Sequence, residues 1–117
     1  LTLKYFGTIL SGRKKIDLVV DEDKPGPGAP AAYVKGEAVY VDDTHHSIYA
    51  MHFDQSRPYR CIISIPIKEN NKVSAILNID SDIPNQFISD DYIEKRILPI
   101  IDPLISLLRL ELISVLE

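Results

Sequence analysis

Residues 59–82, with the sequence YRCIISIPIKENNKVSAILNIDSD, decide the fold of this chain. They contain two apolar runs, residues 61–67 and 73–79, separated by a polar tip at residues 68–72. Isoleucine-rich runs of this length, bounded by asparagine and charged residues, are typical of buried β-strands. A five-residue connection is common between paired strands, so the sequence predicts an antiparallel hairpin at the centre of a sheet.

The segments before this hairpin are predicted to pair with it or to cover one of its faces. Residues 1–10 and 15–20 are β-prone and flank a Ser-Gly-Arg-Lys turn signal, so residues 1–21 are expected to form a second hairpin. Residues 37–41 are predicted to add a short strand, with Ala38 and Tyr40 on the face opposite the valines.

Loops and short helices are expected between these strands. Residues 25–30, PGPGAP, exclude helix and strand at that point. A short helix over residues 31–35 is expected to end at Gly36, because glycine is favoured just beyond a helix. Residues 45–53 are predicted to form another helix, capped by residues 42–44.

A long helix is predicted at the end of the chain, over residues 92–116. Ser89 is a good N-cap, and the aspartates that follow it complement the helix dipole in the first turn. Pro99 and Pro103 interrupt the pattern, since proline removes a backbone hydrogen bond. A bend or break is therefore expected near residues 98–102.

This helix is apolar on two sides, and the two stripes are expected to have different partners. One stripe has the spacing of a coiled-coil seam, and we predict that it forms a homodimer interface. It comprises Leu98, Ile101, Ile105, Leu108, Leu112 and Val115. The second stripe comprises Ile93, Ile97, Ile100, Leu104 and Leu107. The alternative is that both stripes are covered within the domain or by a helix preceding residue 1.

Length and composition indicate one globular domain over residues 1–117, with residues 89–117 as its terminal helix. The formal net charge of −4 and the absence of a basic stripe argue against direct binding to nucleic acid. The sequence shows neither a signal peptide nor a transmembrane stretch, and one cysteine excludes an internal disulfide, so we expect a cytoplasmic location. Because the first residue is Leu1, we expect a fragment of a longer chain.

No combination of residues typical of catalysis or metal binding stands out. His45, His46 and His52 lack the i, i+4 spacing of a helical zinc pair, and residues 80–84 lack the glycine of a calcium loop. The Gly-Pro loop matches neither of the common phosphate-binding glycine patterns. Cys61 lies in a predicted strand, where a buried thiol is expected. We therefore predict no metal, no catalytic residue and no enzymatic activity, and the sequence leaves the identity of any cofactor unknown.

The order of these elements, together with several short motifs, resembles GAF domains. The resemblance covers residues 25–108 well and residues 1–24 loosely, and the opening helix of the family is missing, as expected of a chain truncated at its N-terminus. It includes residues 28–41 followed by Asp43, which are similar to the family's Gly…Gly-x-x-Val-x-Val-x-Asp segment. The remaining matches are Tyr59-Arg60, Ile65-Pro66, Leu77-Asn78-Ile79-Asp80-Ser81 and the phenylalanine with its acidic helix start at residues 87–91.

The resemblance implies an α+β fold with a central antiparallel sheet of about five to six strands. Helices are expected on one face, and loops and short helices over the other, where they roof a pocket. A PAS domain is the alternative fold, since it also wraps helices around an antiparallel sheet. The resemblance further implies a sensory or regulatory module for signal transduction, whose terminal helices dimerise and act on an output domain outside this chain.

Candidate ligand-binding residues are the polar and aromatic residues expected where they enter an apolar sheet face. Arginine can neutralise an anion, and tyrosine rings can stack on a planar ligand. The candidates are Tyr40, Asp43, Tyr49, Tyr59, Arg60, Ser64 and Asn78. Two functions therefore remain open: a domain that binds a small molecule and relays through its terminal helix, or a ligand-free dimerisation or interaction module.

Overall fold

The computed structural model of the chain describes residues 2–3, 18–56, 58–87 and 89–116. Their arrangement belongs to the α+β class. In chain order, the elements are β1 (Thr2–Leu3), β2 (Leu18–Val19), α1 (Ala29–Lys35), β3 (Val39–Val41), β4 (Cys61–Glu69), β5 (Lys72–Ser81), α2 (Asp90–Tyr92), a π-helical turn (Ile93–Ile97) and α3 (Leu98–Leu116).

The predicted antiparallel hairpin is confirmed, but its strands are longer and its turn is shorter than expected. Its predicted position at the centre of the sheet with both strands buried is wrong for β5, which lies at the edge of the described sheet and has no buried residue. β4 and β5 pair antiparallel, and Glu69 lies opposite Lys72 at the tip. Only Asn70 and Asn71 remain in the turn, with φ of 52° and 64°. Two successive residues with positive φ are typical of a type I′ turn, which asparagine tolerates well. The predicted five-residue tip is wrong because its charged residues continue the strands.

The predicted sheet of about five to six strands is also wrong. In the described residues, the main sheet has three strands in the order β3-β4-β5. β1 and β2 pair antiparallel with each other and form a separate two-stranded sheet. This pairing agrees with the predicted hairpin over residues 1–21 at the residues that the structure describes. Residues 4–17 lie outside the described part of the chain. The five described strands divide between two sheets, because β-propensity identifies strand-forming segments without specifying their partners.

The hydrophobic core lies between one face of the main sheet and the terminal helix. Ile63, Ile65 and Ile67 of β4 are buried and pack with Ile93 and Ile105 of the terminal helix. These β4 residues share one face because side chains alternate along a strand. The isoleucine run therefore attaches the helix to the sheet.

Short elements cover the opposite face of the sheet. Val41 and Ile62 are register partners on β3 and β4, and both are buried. α1 lies against β4 and β5, and its Ala32 is completely buried. The two faces of the sheet are thus covered by elements of very different length.

α1 begins two residues earlier than predicted, because the Gly-Pro loop supplies its first turn. Pro30 lies in that turn, where the N–H that proline lacks would have no helical partner. Gly36 ends the helix with φ of 68°, and its N–H donates to the carbonyl of Ala32. The predicted terminating glycine is therefore confirmed.

The helix predicted over residues 45–53 is not formed, and successive turns take its place. The N–H of His46 donates to the carbonyl of Asp43, and the N–H of His52 donates to that of Tyr49. These bonds join residues three apart, whereas an α-helix needs a continuous series joining residues four apart. Histidine and serine are weak helix formers, so local turns prevail in this segment.

The terminal helix begins as predicted, at Ser89, whose hydroxyl accepts a hydrogen bond from the N–H of Tyr92 at 3.2 Å. Its irregularity lies earlier than predicted, at Ile93–Ile97, where the N–H of Leu98 donates to the carbonyl of Ile93. This wider turn directly precedes Pro99, which has no N–H to continue the α-helical series. α3 then continues through Pro103, so of the predicted bend or break near residues 98–102, the break is wrong.

The structure assigns the two stripes of the terminal helix differently from the prediction. Leu98, Ile101, Ile105 and Leu108, which were predicted to form a dimer interface, pack against the sheet of their own domain. The side chains of Leu112 and Val115 lie outside the described part. A coiled-coil spacing also suits packing onto a sheet, so spacing alone could not assign the partner. Other residues of α3 face outward.

Shortening a core isoleucine should destabilise the domain much more than shortening an exposed residue. We expect Ile63→Ala to lower the free energy of unfolding by about 2–5 kcal/mol, because it removes buried methylene groups and leaves a cavity. Met51→Ala is the matched control, since Met51 is 83 % exposed whereas Ile63 is completely buried. Denaturant unfolding measures both values, and a similar small loss for the two variants would contradict this core.

Candidate functional site

A cleft of about 420 Å³ lies beside β3, on the side of the sheet away from the terminal helix. The Gly-Pro loop and α1 form one wall, β3 forms the floor, and the turns after β3 form the other wall. Its lining is mainly apolar, with Val39, Val41 and Ile48, and its polar groups include those of Lys35, Tyr49 and His52. We call this site the β3 cleft.

Glycines allow the Gly-Pro loop to approach the turns closely at one end of the β3 cleft. Gly26 has φ of 74°, and a Cβ atom there would lie 3.2 Å from Nδ1 of His52. Gly28 has φ of 80°, and a Cβ atom there would lie 3.5 Å from Cζ of Phe53. Both backbone conformations strongly favour glycine. The composition of the loop therefore sets the width of the cleft.

Tyr40 contributes to the floor of the cleft, but its side chain packs against the core on the other face. Its ring meets that of Phe87 edge-on, with centroids 6.1 Å apart. The hydroxyl is buried and has no hydrogen-bond partner among the described residues. Burial raises the pKa of this phenol. Tyr40 is thus placed between the cleft and the terminal helix.

Asp43 and Arg60 form an ion pair at the end of β3. The Nη2 of Arg60 donates to both carboxylate oxygens of Asp43, at 3.1 and 3.2 Å, and its Nε donates to Oδ1 at 3.2 Å. Partial desolvation acts to raise the pKa of Asp43, but the hydrogen bond from the backbone N–H of His45 and the guanidinium of Arg60 outweigh this effect. The pKa of Asp43 therefore lies below its usual value. The predicted anion-binding arginine is therefore already neutralised.

Hydrogen bonds fix the position of this ion pair between three chain segments. The N–H of Thr44 donates to the carbonyl of Arg60 at 2.7 Å, and its hydroxyl donates to the carbonyl of Tyr59. The N–H of Arg60 donates to the carbonyl of Ser81 at 2.7 Å. Thr44 is buried, so these bonds satisfy polar groups that cannot reach water. The end of β3, the start of β4 and the end of β5 are thus held together.

The remaining predicted ligand residues have local partners. The ring of Tyr59 is buried and meets that of Phe53 edge-on at 6.1 Å. Ser64 is completely buried on β4, and its hydroxyl donates to Oδ1 of Asn78 on β5 at 2.7 Å. Neither Ser64 nor Asn78 lines the β3 cleft.

The structure therefore brings together only part of the predicted set. Tyr40 and Tyr49 line the β3 cleft, whereas Asp43 and Arg60 pair with each other, and Ser64 pairs with Asn78. The sequence analysis did not select Ile48, His52 or Gly26 as ligand-binding residues, although all three line the cleft. The alternation of glycine and proline at residues 25–28 was the available signal, since such loops permit close contacts.

A second cleft, of about 520 Å³, lies between the C-terminal end of α1 and the tip of the hairpin. It contains none of the seven predicted ligand residues, and its lining includes Lys35, Lys68 and Lys72. The ammonium group of Lys68 lies beside Gly36, where cations complement the C-terminal end of a helix dipole. Lys68 therefore has a structural explanation, and we favour the β3 cleft as the candidate site because Tyr40 and Tyr49 line it.

The chain matches no protein-family model, no curated protein and no solved structure. Among the residues described, no group of three histidine, cysteine or acidic side chains could hold a metal ion. In that same part of the chain, no helix has the length and apolar character needed to span a membrane.

The Asp43–Arg60 pair should contribute stability that depends on pH. Because the folded-state pKa of Asp43 is lowered, its contribution is present above the unfolded-state value of about 4 and is lost as pH falls through the folded-state value. We expect Asp43→Asn to be less stable than the wild type at neutral pH, with a difference that shrinks below about pH 4.

Chemical unfolding at a series of pH values measures this difference. Asp82→Asn is the control, because it removes the same charge from an exposed carboxylate near the end of β5. A difference between Asp43→Asn and wild type that stays constant as the solution is acidified would show that the ion pair does not stabilise the fold.

Proposed function

We propose that this chain is a regulatory domain of the GAF type, which binds a small molecule in the β3 cleft and relays binding through its terminal helix. The β3 cleft is the observation that carries the proposal, because its volume lies within the range of about 300–1,000 Å³ typical of small-molecule sites. The resemblance of residues 25–108 to GAF domains supports the same function.

The lining of the β3 cleft favours a compact ligand with a planar, apolar group. Val39 and Ile48 supply apolar surface, and Tyr49 supplies an aromatic ring. His52 supplies ring nitrogens for hydrogen bonds at the end that the Gly-Pro loop approaches. Lys35 supplies one cationic group at the cleft, whereas Arg60 does not line it and is paired with Asp43.

β3 is the element through which ligand binding would reach the terminal helix. Val39 and Val41 face the cleft, whereas the ring of Tyr40 packs against Phe87 and the core beneath the helix. The N–H of Asn85 also donates to the carbonyl of Asp42, which joins the end of β3 to the segment preceding the helix. A ligand that shifts β3 would therefore act on the base of the helix.

Binding can be tested by thermal shift and native mass spectrometry with nucleotides, amino acids and tetrapyrroles. We expect at least one class to raise the Tm, because a ligand that binds only the folded state stabilises it. Tyr49→Ala should remove most of that shift by removing a wall of the cleft. Met51→Ala is the control, since it lies in the same turns without lining the cleft. If no class stabilises the wild type, the binding function is wrong.

The second candidate function is a ligand-free interaction module that acts through α3. A row of exposed leucine and isoleucine side chains along α3 favours it, because large exposed apolar patches mark interaction surfaces. For either function we propose a cytoplasmic domain of a larger signalling protein. The buried free thiol of Cys61 supports a reducing compartment.

A further inference from the structure

The outward face of α3 is strongly apolar. Ile100, Leu104, Leu107 and Leu110 are 77, 52, 62 and 66 % exposed, respectively. Ile100, Leu104 and Leu107 are spaced four and three residues apart, so they form one stripe along the helix. The opposite side of the same helix already packs on the sheet through Ile105. A helix that is apolar on both sides is stabilised when a second surface covers the outer stripe.

Two opposite charges lie at the ends of this stripe. Arg96 precedes Ile100 by four residues, and Glu111 follows Leu107 by four residues, so each continues the stripe by one turn. Both side chains are exposed, and neither forms an ion pair within the described part of the chain. We call the stripe from Arg96 through Ile100, Leu104 and Leu107 to Glu111 the outer stripe.

The outer stripe is complementary to itself in one orientation. If two copies cross antiparallel, with the two-fold axis between Pro103 and Leu104, Ile100 of each copy lies opposite Leu107 of the other. The same axis places Arg96 of each copy opposite Glu111 of the other. A two-fold contact of this kind forms every pair twice. Its apolar centre and charged ends match the usual anatomy of an interface.

The parallel orientation lacks this complementarity. In a parallel pair, each residue lies opposite its own copy, so Arg96 would face Arg96 and Glu111 would face Glu111. Like charges in facing positions disfavour that arrangement. If a second copy covers the outer stripe, the charge pattern therefore favours the antiparallel over the parallel orientation.

We propose that the domain self-associates through the outer stripe, as an antiparallel pair of α3 helices with reciprocal Arg96–Glu111 ion pairs. This inference develops the second candidate function and does not need the β3 cleft to hold a ligand. From Arg96 to Glu111 the stripe is about 22 Å long at 1.5 Å per residue. Such a contact is small for a stable dimer, so association in the micromolar range is expected.

Sedimentation over a range of protein concentrations tests the self-association. The wild type should shift from monomer to dimer, and Leu104→Glu/Leu107→Glu should remain a monomer while circular dichroism shows that it is folded. Because both residues are exposed, the fold does not depend on them. A wild type that stays monomeric at the highest concentration would overturn the proposal and assign the outer stripe to another segment or protein.

Charge reversal tests the ion pairs. Arg96→Glu should weaken dimerisation about tenfold, because it replaces two attractive pairs by two repulsive ones. Arg96→Glu/Glu111→Arg should restore it by exchanging the two charges. Lys95→Glu is the matched control, since Lys95 pairs with Asp91 on another side of the helix. An equal loss for Lys95→Glu, or no rescue in the double variant, would overturn the proposed register.

Disulfide trapping tests the orientation directly. In the presence of diamide as the oxidant, two facing thiols lose two protons and two electrons and form one disulfide. A mixture of Ile100→Cys and Leu107→Cys proteins should cross-link between the two kinds of chain, whereas each variant alone should cross-link poorly. Efficient cross-linking of each variant alone would show a parallel pair and overturn the proposal. Wild type is the control, because Cys61 is buried.

Discussion

The packing of three isoleucines of one strand against the terminal helix is the constraint on which the rest of the structure depends. Ile63, Ile65 and Ile67 are buried in the core with Ile93 and Ile105 of the terminal helix. Because side chains alternate along β4, this packing leaves Ile62 and Ser64 on the other face, where α1 and the turns cover them. A register shift of one residue would exchange the two faces and remove both the core and the β3 cleft.

The two candidate functions use surfaces on opposite sides of the main sheet. The β3 cleft lies on the face with short elements, where the turns are held by the Asp43–Arg60 pair and by Thr44. The outer stripe lies on the far side of α3, beyond the core. The β3 cleft and the outer stripe are thus separate surfaces, and Tyr40 lies between the floor of the cleft and the core beneath the helix.

The sequence predicted those features that depend on local chemistry. Ser89 and Gly36 were correctly placed at helix ends, because capping depends on one residue and its immediate neighbours. The hairpin was correct because its apolar runs are long, although the I′ turn at Asn70 and Asn71 is tighter than expected. The number of strands in the sheet was wrong, and so was the assignment of Ile105 to a dimer, because both depend on which distant segments meet. The Asp43–Arg60 ion pair joins residues that are 17 apart in sequence, so the sequence could not predict it for the same reason.

Amide hydrogen exchange along β4 and β5 is the most direct test of the central claim, that β4 is the buried strand of this hairpin and packs against the terminal helix. The amides of β4, which is paired on both sides in the described structure, should exchange most slowly, close to the rate set by global unfolding. The exposed turn at residues 21–24 should exchange fastest. Exchange of β4 amides as fast as that of this turn would contradict the account.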